Sequence, residues 1–328
     1  MRAVQITSLG GPRDSVELVE LSEPEASHEM TPGRGVLVDV RAAGVSFPEV
    51  LQSRGQYQLK PPLPFVPGSE VAGVVRSAPE DTGLAPGDRV AAFCGLGGFA
   101  EVAVAPEFFS FPLPEELDFA QGAGLVLNYH TAYFALKLRG RLRDGETVLV
   151  HGAAGGVGTA SLQVARGLGA RTIAVVSSEE KAQVAREAGA DDIVRSDGPW
   201  KDEARELTGG AGVDIVVDPV GGDRFTDSLR SLREGGRLLV VGFTGGSIPE
   251  VRVNRLLLNN TEVVGAGWGA FVLRRPELPV EIAAALEALI HAGFVRPVVG
   301  ARFPLDRAAD ALELIDTRGA TGKVVLEV

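Results

Sequence analysis

The sequence is nearly without cysteine: Cys94 is the single thiol among 328 residues. One thiol closes no internal disulfide and cannot make up a cysteine-based zinc cluster. Aromatic residues are scarce, at 6% against 45% hydrophobic overall, so the interior has to be built from Val, Leu and Ala. That suits stacked strands and helices better than a small aromatic-centred module. Histidine is rare too: His28, His130, His151 and His291 are the whole set, and no pair has a metal-ligand spacing. Positive charge is in deficit. With 32 Lys and Arg against 43 Asp and Glu, the formal net charge is −11, which disfavours nucleic acid and anionic membranes as partners. No apolar run reaches the length of about eighteen residues that a membrane helix needs. The opening Met1-Arg-Ala-Val-Gln-Ile reads as a strand, with no charged leader, so a soluble cytoplasmic protein is the expectation. The 42 glycines and 20 prolines are spread among periodic segments, which excludes a collagen-like or low-complexity chain.

What the chain does have is Val148-Leu-Val-His-Gly152-Ala-Ala-Gly155-Gly156-Val-Gly158, continued by an apolar-periodic run through Leu168. It reads as a strand, a tight glycine turn and a helix. Such a unit aims bare backbone N–H groups and the positive end of a helix at one spot, where a pyrophosphate can sit. Gly155 and Gly156 leave no side chain in the way of the phosphates, and Gly158 lets the helix lie close on the strand. Ala154 fills the second glycine position of the standard Gly-x-Gly-x-x-Gly, and a bare glycine turn also serves ordinary strand-to-helix connections. A second strand over residues 171–176, at βαβ distance, supplies the missing context.

The end of that second strand selects the coenzyme. NAD-binding versions of this unit carry an Asp or Glu there, on the adenosine ribose hydroxyls. Here Ser177-Ser178 stand in that place, with Lys181 shortly after and Arg195 beyond the next strand. Hydroxyls and cations hold a 2′-phosphate that a carboxylate would repel. One charge-assisted hydrogen bond contributes about 1.5–3 kcal/mol, or roughly ten- to a hundredfold in favour of NADPH. A second reading of Lys181, beside Glu179 and Glu180, is a solvated residue on an exposed helix face.

At this length two domains are expected. Strands over 1–6, 16–20, 35–43, 68–76, 89–93 and 98–104, separated by turn residues, suggest a partly open barrel. Helices are expected over 117–122 and 125–139. From Glu146 onward, strands over 147–151, 171–176, 192–195, 213–218, 236–241 and 261–265 alternate with helices, the pattern of a doubly wound parallel six-stranded sheet. A helix over 279–292, a strand over 298–303, a helix over 305–317 and a strand over 322–328 return to the first domain.

These segments resemble a zinc-free member of the medium-chain dehydrogenase/reductase superfamily, and within it the NADPH:quinone oxidoreductase (zeta-crystallin-like) group. The resemblance spans essentially the full length. It rests on the order of Arg2-Ala-Val with Gly10-Gly11-Pro12, Ala43-Gly44-Val45-Ser46, Pro67-Gly68-Ser69-Glu70-Val-Ala-Gly73 and Gly87-Asp88-Arg89-Val90. Thr131-Ala132-Tyr133, the glycine turn, Asp218-Pro219-Val220-Gly221-Gly222, Gly235-Gly236-Arg237 and Gly319-Ala-Thr-Gly-Lys323 follow. It implies an α/β protein with a GroES-like, partly open β-barrel catalytic domain over 1–124. A Rossmann NADPH-binding domain over 125–265 and a return to the catalytic domain over 266–328 complete it. The zinc alcohol dehydrogenases of the superfamily carry Cys where Ser46 stands, His where Ser69 stands, and a four-cysteine lobe after the Gly-Asp-Arg-Val segment. Two serines do not replace thiolate and imidazole on a Lewis-acid zinc, so no metal is expected.

Residue by residue, the resemblance implies a coenzyme groove between two lobes. Gly155, Gly156, Val157 and Gly158 hold the pyrophosphate in this reading, while Ser177 and Lys181 meet the 2′-phosphate. Relatives commonly present a Tyr where Ser196 falls, and Arg195 is its candidate substitute. Arg318, with Lys323 nearby, matches a further basic contact. Val241, Gly242, Phe243 and Thr244 match the strand end beside the nicotinamide. Gly267, Trp268 and Gly269 match the segment closing over it, and Thr131 a contact near its ribose. For the acceptor, Ser46 and Tyr57 are the catalytic candidates, able to stabilise charge on its oxygen. Ser46 equally suits a structural turn. Phe47, Tyr57, Phe93, Trp268 and Phe271 make a candidate apolar slot, or else ordinary core in the cases of Phe47 and Phe271.

The expected function is zinc-independent hydride transfer from NADPH to a quinone-type acceptor. The alternatives are reduction of an enone or enoyl-thioester, and a catalytically idle NADPH-binding protein. A homodimer is expected through the strand over 261–265, which is apolar enough to be a liability if left unpaired.

Overall fold

A computed structural model describes the whole chain, residues 1–328. The first segment runs β1 (Arg2–Ile6), α1 (Pro12–Ser15), β2 (Val16–Glu20), β3 (Gly35–Val45), α2 (Phe47–Gln52) and β4 (Glu70–Ser77). It continues through β5 (Arg89–Phe93), β6 (Val102–Pro106), β7 (Ser110–Pro112), α3 (Phe119–Gly122) and α4 (Val126–Tyr133). Then come β8 (Thr147–His151), α5 (Gly156–Gly167), β9 (Arg171–Val176), α6 (Glu179–Glu187), β10 (Asp192–Arg195), α7 (Trp200–Leu207) and β11 (Val213–Asp218). After these lie α8 (Phe225–Ser231), β12 (Leu232–Val240), α9 (Asn254–Asn259), β13 (Glu262–Gly265) and α10 (Trp268–Val272). The chain ends with α11 (Glu277–His291), β14 (Val299–Pro304), α12 (Ala308–Asp316) and β15 (Lys323–Glu327). Two compact units result. One comprises Met1–Leu127, Pro276–Ala283 and Pro297–Val328, the other Asn128–Arg275 and Ala284–Arg296.

The first unit is organised by β3. Along one edge β3 pairs antiparallel with β4; along the other it pairs β6 through Gly35–Asp39 and then β15 through Ala42–Val45. A strand has only two edges, so handing one of them from β6 to β15 curls the sheet into a partly open barrel. The full path is β14-β15-β3-β4-β5-β7 with β6 on β3. Its interior is almost aromatic-free, as composition requires: Val36, Val38, Val40, Val71, Val75 and Val90 fill it.

The second unit is an all-parallel six-stranded sheet in the order β10-β9-β8-β11-β12-β13, the doubly wound arrangement. Its order reverses between β8 and β11, so the carboxyl ends of those two strands open the crevice in which such sheets bind ligands. A buried guanidinium braces the opposite side. Arg237 grips Glu146 through two N–H···O bonds of 2.8 and 2.7 Å and donates to the Gly140 carbonyl at 2.8 Å.

Several element bounds shift from the sequence expectation, and three of the departures have a visible local cause or form. The strand expected over 98–104 begins only at Val102, because Gly98 and Phe99 are tied to Gly68 and Pro67 by backbone hydrogen bonds. The helix expected over 125–139 widens into a π-helix over Phe134–Arg139, which closes where Arg237 holds the Gly140 carbonyl. The helix expected over 305–317 opens with a 3₁₀ turn, Leu305–Arg307, before α12.

No helix is long and apolar enough to cross a membrane. Two histidines are buried in the second unit. His151 Nε2 donates to Ser228 Oγ at 2.8 Å, and its ring stands edge-on to Trp200; His130 packs edge-on against Trp268. Burial pushes both imidazoles down to about 3, with the Arg224 charge adding to the effect at His151. The unfolded chain therefore binds protons near pH 6.5 that the folded chain refuses, and stability present above that pH is lost as pH falls towards 3. Each imidazole adds a slope of about 1.4 kcal/mol per pH unit within that window. Urea midpoints measured from pH 8 to pH 5 are expected to be flat at first and to fall below pH 6.5, and His151→Gln should remove about half of the fall.

Candidate active site

The nucleotide turn is built by close approach. Gly155 caps α5 in an extended conformation, and its N–H closes the turn on the Gly152 carbonyl at 2.9 Å. A Cβ on Gly158 would sit 2.2 Å from the Gly152 oxygen and 2.7 Å from Ala153 Cα, so no other residue lets α5 start this close to β8. A Cβ on Gly156 would meet the Asn128 amide nitrogen at 2.5 Å. Asn128, from α4, is thus a wall of the turn that the sequence reading missed. Thr131, one helical turn further along α4, is buried. The α4–α5 packing that holds both in register is pinned by Gln163, whose Oε1 accepts from Tyr129 Oη at 2.7 Å and from the Arg296 N–H at 2.9 Å.

At the end of β9, Ser177 is exposed and Ser178 caps α6, accepting the Lys181 N–H at 3.2 Å. Arg195, from the end of β10, reaches back: Nη2 donates to the Ser177 carbonyl at 2.9 Å and to Asp197 at 3.1 Å. Its Nε is buried and makes no hydrogen bond within the chain. A guanidinium held beside Ser177 with one N–H unspent is suited to an anion. Val241, Gly242, Phe243 and Thr244 follow β12, with Thr244 folded back on the Pro219 carbonyl. Gly267 caps α10, and Trp268 is buried against His130.

The first unit carries a second constellation, around Ser46. Ser46-Phe-Pro-Glu49 is a helix-capping sequence: Ser46 caps α2, and Glu49 Oε2 accepts the Ser46 N–H at 2.9 Å. The other oxygen, Oε1, accepts both the N–H of Ser69 at 3.0 Å and its hydroxyl at 2.5 Å. The two serines at the positions of the zinc ligands are therefore bridged by one carboxylate. Burial pushes that carboxyl up, opposed by the Ser69 hydrogen bond and the Lys323 charge. Lys323 donates from Nζ to Ser46 Oγ at 2.6 Å and to Glu70 Oε1 at 2.5 Å. Glu70 Oε2 accepts the Leu127 N–H of α4 at 2.8 Å. The Lys323 and Glu70 side chains are 3% and 0% exposed, so each depends on the other for the solvation it has lost. Gly44 makes room for the ammonium stem: a Cβ there would lie 2.6 Å from Lys323 Cε and 2.1 Å from the Ala123 oxygen.

Tyr57 is half-buried, and its phenol is pushed up by burial and by the nearby Glu49. Phe47 packs on the core of the first unit, and Phe93 stands edge-on to Phe109. Phe271 lies against Phe134 with Arg275 over its face. Phe47, Phe93, Trp268 and Phe271 are thus each engaged within their own unit. Arg318 is exposed at the end of α12, in a left-handed conformation. Lys323, near Arg318 in the sequence, is buried and bonded to Ser46. Glu49, Glu70 and Asn128 were missed as site residues. The Ser-x-x-Glu spacing signalled the first of them; nothing local signalled the other two.

Residues 156–288 match the zinc-binding dehydrogenase family and residues 32–115 the alcohol dehydrogenase GroES-like domain. The quinone oxidoreductase-like protein 2 homolog of Nematostella vectensis is 38% identical over 331 residues, spanning 99% of this chain and 88% of that protein. Among solved structures, a probable oxidoreductase from Mycobacterium abscessus superposes with a TM-score of 0.89 at 46% identity, covering 100% of this chain and 99% of the other. The quinone oxidoreductase of Thermus thermophilus, solved also as its complex with NADPH, matches at 36% identity and a TM-score of 0.84 with both chains fully covered, at 100% each. The chain is an oxidoreductase that belongs to the medium-chain dehydrogenase/reductase family, in its quinone oxidoreductase-like group.

Proposed function

We propose that this chain is a cytoplasmic, zinc-independent reductase that uses NADPH to reduce quinones. The observation that carries this reading is the saturation of the Ser46–Ser69 position. Zinc needs anionic or imidazole donors with free lone pairs. Here one hydroxyl is spent on a carboxylate and the other receives an ammonium, whose positive charge lies 2.6 Å from the Ser46 oxygen. The residues present do not fit a catalytic zinc.

They do fit NADPH. The Gly156 and Gly158 cradle leaves backbone N–H groups facing outward at the start of α5, suited to a pyrophosphate. Arg195 Nε, Ser177 and Lys181 suit a 2′-phosphate. The complex of the Thermus thermophilus relative with NADPH supports the same coenzyme for this chain. When bound, NADPH supplies a hydride, two electrons with one proton, and this leaves one negative charge on the acceptor. Without a Lewis acid to polarise a plain carbonyl, the acceptor has to be electron-poor already, as quinones are. Relatives that bear the quinone oxidoreductase name support that class. The acceptor side of this reading is Ser46 and Tyr57.

A homodimer belongs to the same reading. Strand β13 ends the parallel sheet with one edge unpaired, and α9 just before it exposes Leu257 and Leu258 at 77% and 75%. An apolar, unpaired edge is covered most simply by its own copy across a two-fold axis.

Two measurements test the coenzyme and the acceptor, and a third tests the dimer. In fluorescence titrations Arg195→Ala and Lys181→Ala should each weaken NADPH binding by about tenfold while moving NADH by less than about twofold. Unchanged NADPH-to-NADH ratios would overturn the phosphate assignment. Turnover over a panel of quinones, enones and acyl-thioesters should give the highest kcat/KM with a quinone, and a preference for enones or thioesters would replace it as the substrate. Light scattering should return twice the chain mass, and Leu257→Asp with Leu258→Asp should return the chain mass alone.

A further inference from the structure

We propose that the Ser46 hydroxyl donates the hydrogen bond that receives the charge on the acceptor oxygen, and that Lys323 is the positioning residue that fixes and polarises this hydroxyl. The proposal rests on the reductase reading and adds to it the group that does the work a Lewis acid would otherwise do.

An ammonium has hydrogens to give and no lone pair. Lys323 Nζ lies 2.6 Å from Ser46 Oγ, so the serine oxygen must be the acceptor in that bond. The Ser46 O–H is then left to donate, and no group within the chain accepts it. Ser69 differs: its hydroxyl is spent on Glu49 Oε1 and turned inward. Burial separates the members further. Glu49, Ser69, Glu70 and Lys323 are buried, whereas Ser46 is half-exposed. The cluster thus presents one hydrogen to the outside, and behind that hydrogen stands a whole positive charge that water cannot reach.

A hydroxyl that accepts from a cation is a stronger donor, because each bond in such a chain polarises the next. Its direction is fixed as well. Glu49 Oε2 holds the Ser46 N–H, which sets the backbone, and Lys323 sets the oxygen. Glu70 and the Gly44 opening in turn keep the ammonium in place. Such donors need no reorganisation when charge develops. In the reduction, a C–H bond of NADPH would break as a new C–H bond forms on the acceptor, NADPH would be oxidised to NADP⁺, and one electron pair of the acceptor would move onto its oxygen. Ser46 donates to that oxygen without giving up its proton, and water finally protonates the reduced acceptor. Neither Ser46 nor Lys323 changes protonation state.

The test uses p-nitrophenol, whose phenolate mimics an oxygen carrying the transferred charge and absorbs visible light. In the wild-type chain without coenzyme, the bound probe should ionise about one pH unit lower than in buffer, a roughly tenfold preference for phenolate. Ser46→Ala should abolish that shift and lower kcat with quinones by about a hundredfold, with KM nearly unchanged. Ser46→Thr, which keeps the hydroxyl, should restore most of both. Lys323→Met combined with Glu70→Gln, which avoids a stranded carboxylate, should lose the shift while Ser46 is still present. A Ser46→Ala protein that keeps the shifted probe and full kcat overturns the proposal. So does a double variant that is as shifted as the wild type. Quinone turnover with an unshifted wild-type probe sinks this inference alone. A shifted probe in a protein that oxidises no NADPH sinks the reductase reading instead.

Discussion

The contact between Lys323 and Glu70 is the constraint on which the first unit's site depends. Two charges have been taken out of water and can be tolerated only together. Lys323 opens β15, the last strand of the chain, and Glu70 opens β4. Glu70 also holds the start of α4, and Lys323 holds the Ser46 cap of α2. The partners lie 253 positions apart, and the chain between them must be laid down before either charge has its partner. The geometry around Ser46 is therefore a product of completed folding. β15 is the keystone in a literal sense, since it also occupies the edge of β3 that β6 leaves free.

That constraint bears on the chemistry proposed for the protein. A metal can add a ligand and withdraw it, binding an oxygen directly as a Lewis acid. A buried ammonium cannot, because it has no empty orbital with which to bind an oxygen, and two of its three hydrogens are already committed to Glu70 and Ser46. What it can supply is a fixed field, passed on through a hydroxyl. A fixed field suffices where the acceptor is electron-poor and only the charge left on its oxygen needs stabilising. It does not suffice for removing hydride from an ordinary alcohol, where the alkoxide must first be made. In the proposed function, the change from thiolate and imidazole to two serines would go with a change of substrate class and of reaction direction.

The sequence made the second unit more legible than the first. Strand β8, the glycine turn and α5 occupy one continuous stretch, so spacing alone reported the close approach at Gly158. The strands alternate with helices, which announced a doubly wound parallel sheet; their order across the sheet came only with the structure. The π-helical Phe134–Arg139 stretch was hidden because it answers to Arg237, about a hundred residues away, holding the Gly140 carbonyl. The Ser46 cluster was hidden for the same reason. Serines near turns, a lysine before an apolar strand and two glutamates each have an ordinary surface explanation. Only the fold brings residues 46, 49, 69, 70 and 323 together, and only burial changes what they can do.

Net charge sharpens the last question, which is how so acidic a chain could hold a phosphorylated dinucleotide. At −11 overall, the long-range field opposes an anionic ligand. Salt screens exposed charges beyond a distance of about 8 Å, so only groups close to the phosphates decide the outcome. The candidates here are short-ranged by construction: backbone N–H groups at the start of α5, and a guanidinium whose buried Nε has no partner. Asp197 shares that guanidinium, but its carboxylate is 68% exposed and can turn into water at little cost. An arriving phosphate would therefore exchange a weak, solvated ion pair for a stronger, partly buried one. In the proposed phosphate site, that exchange would give selectivity for the phosphorylated coenzyme without requiring the surface around it to be basic.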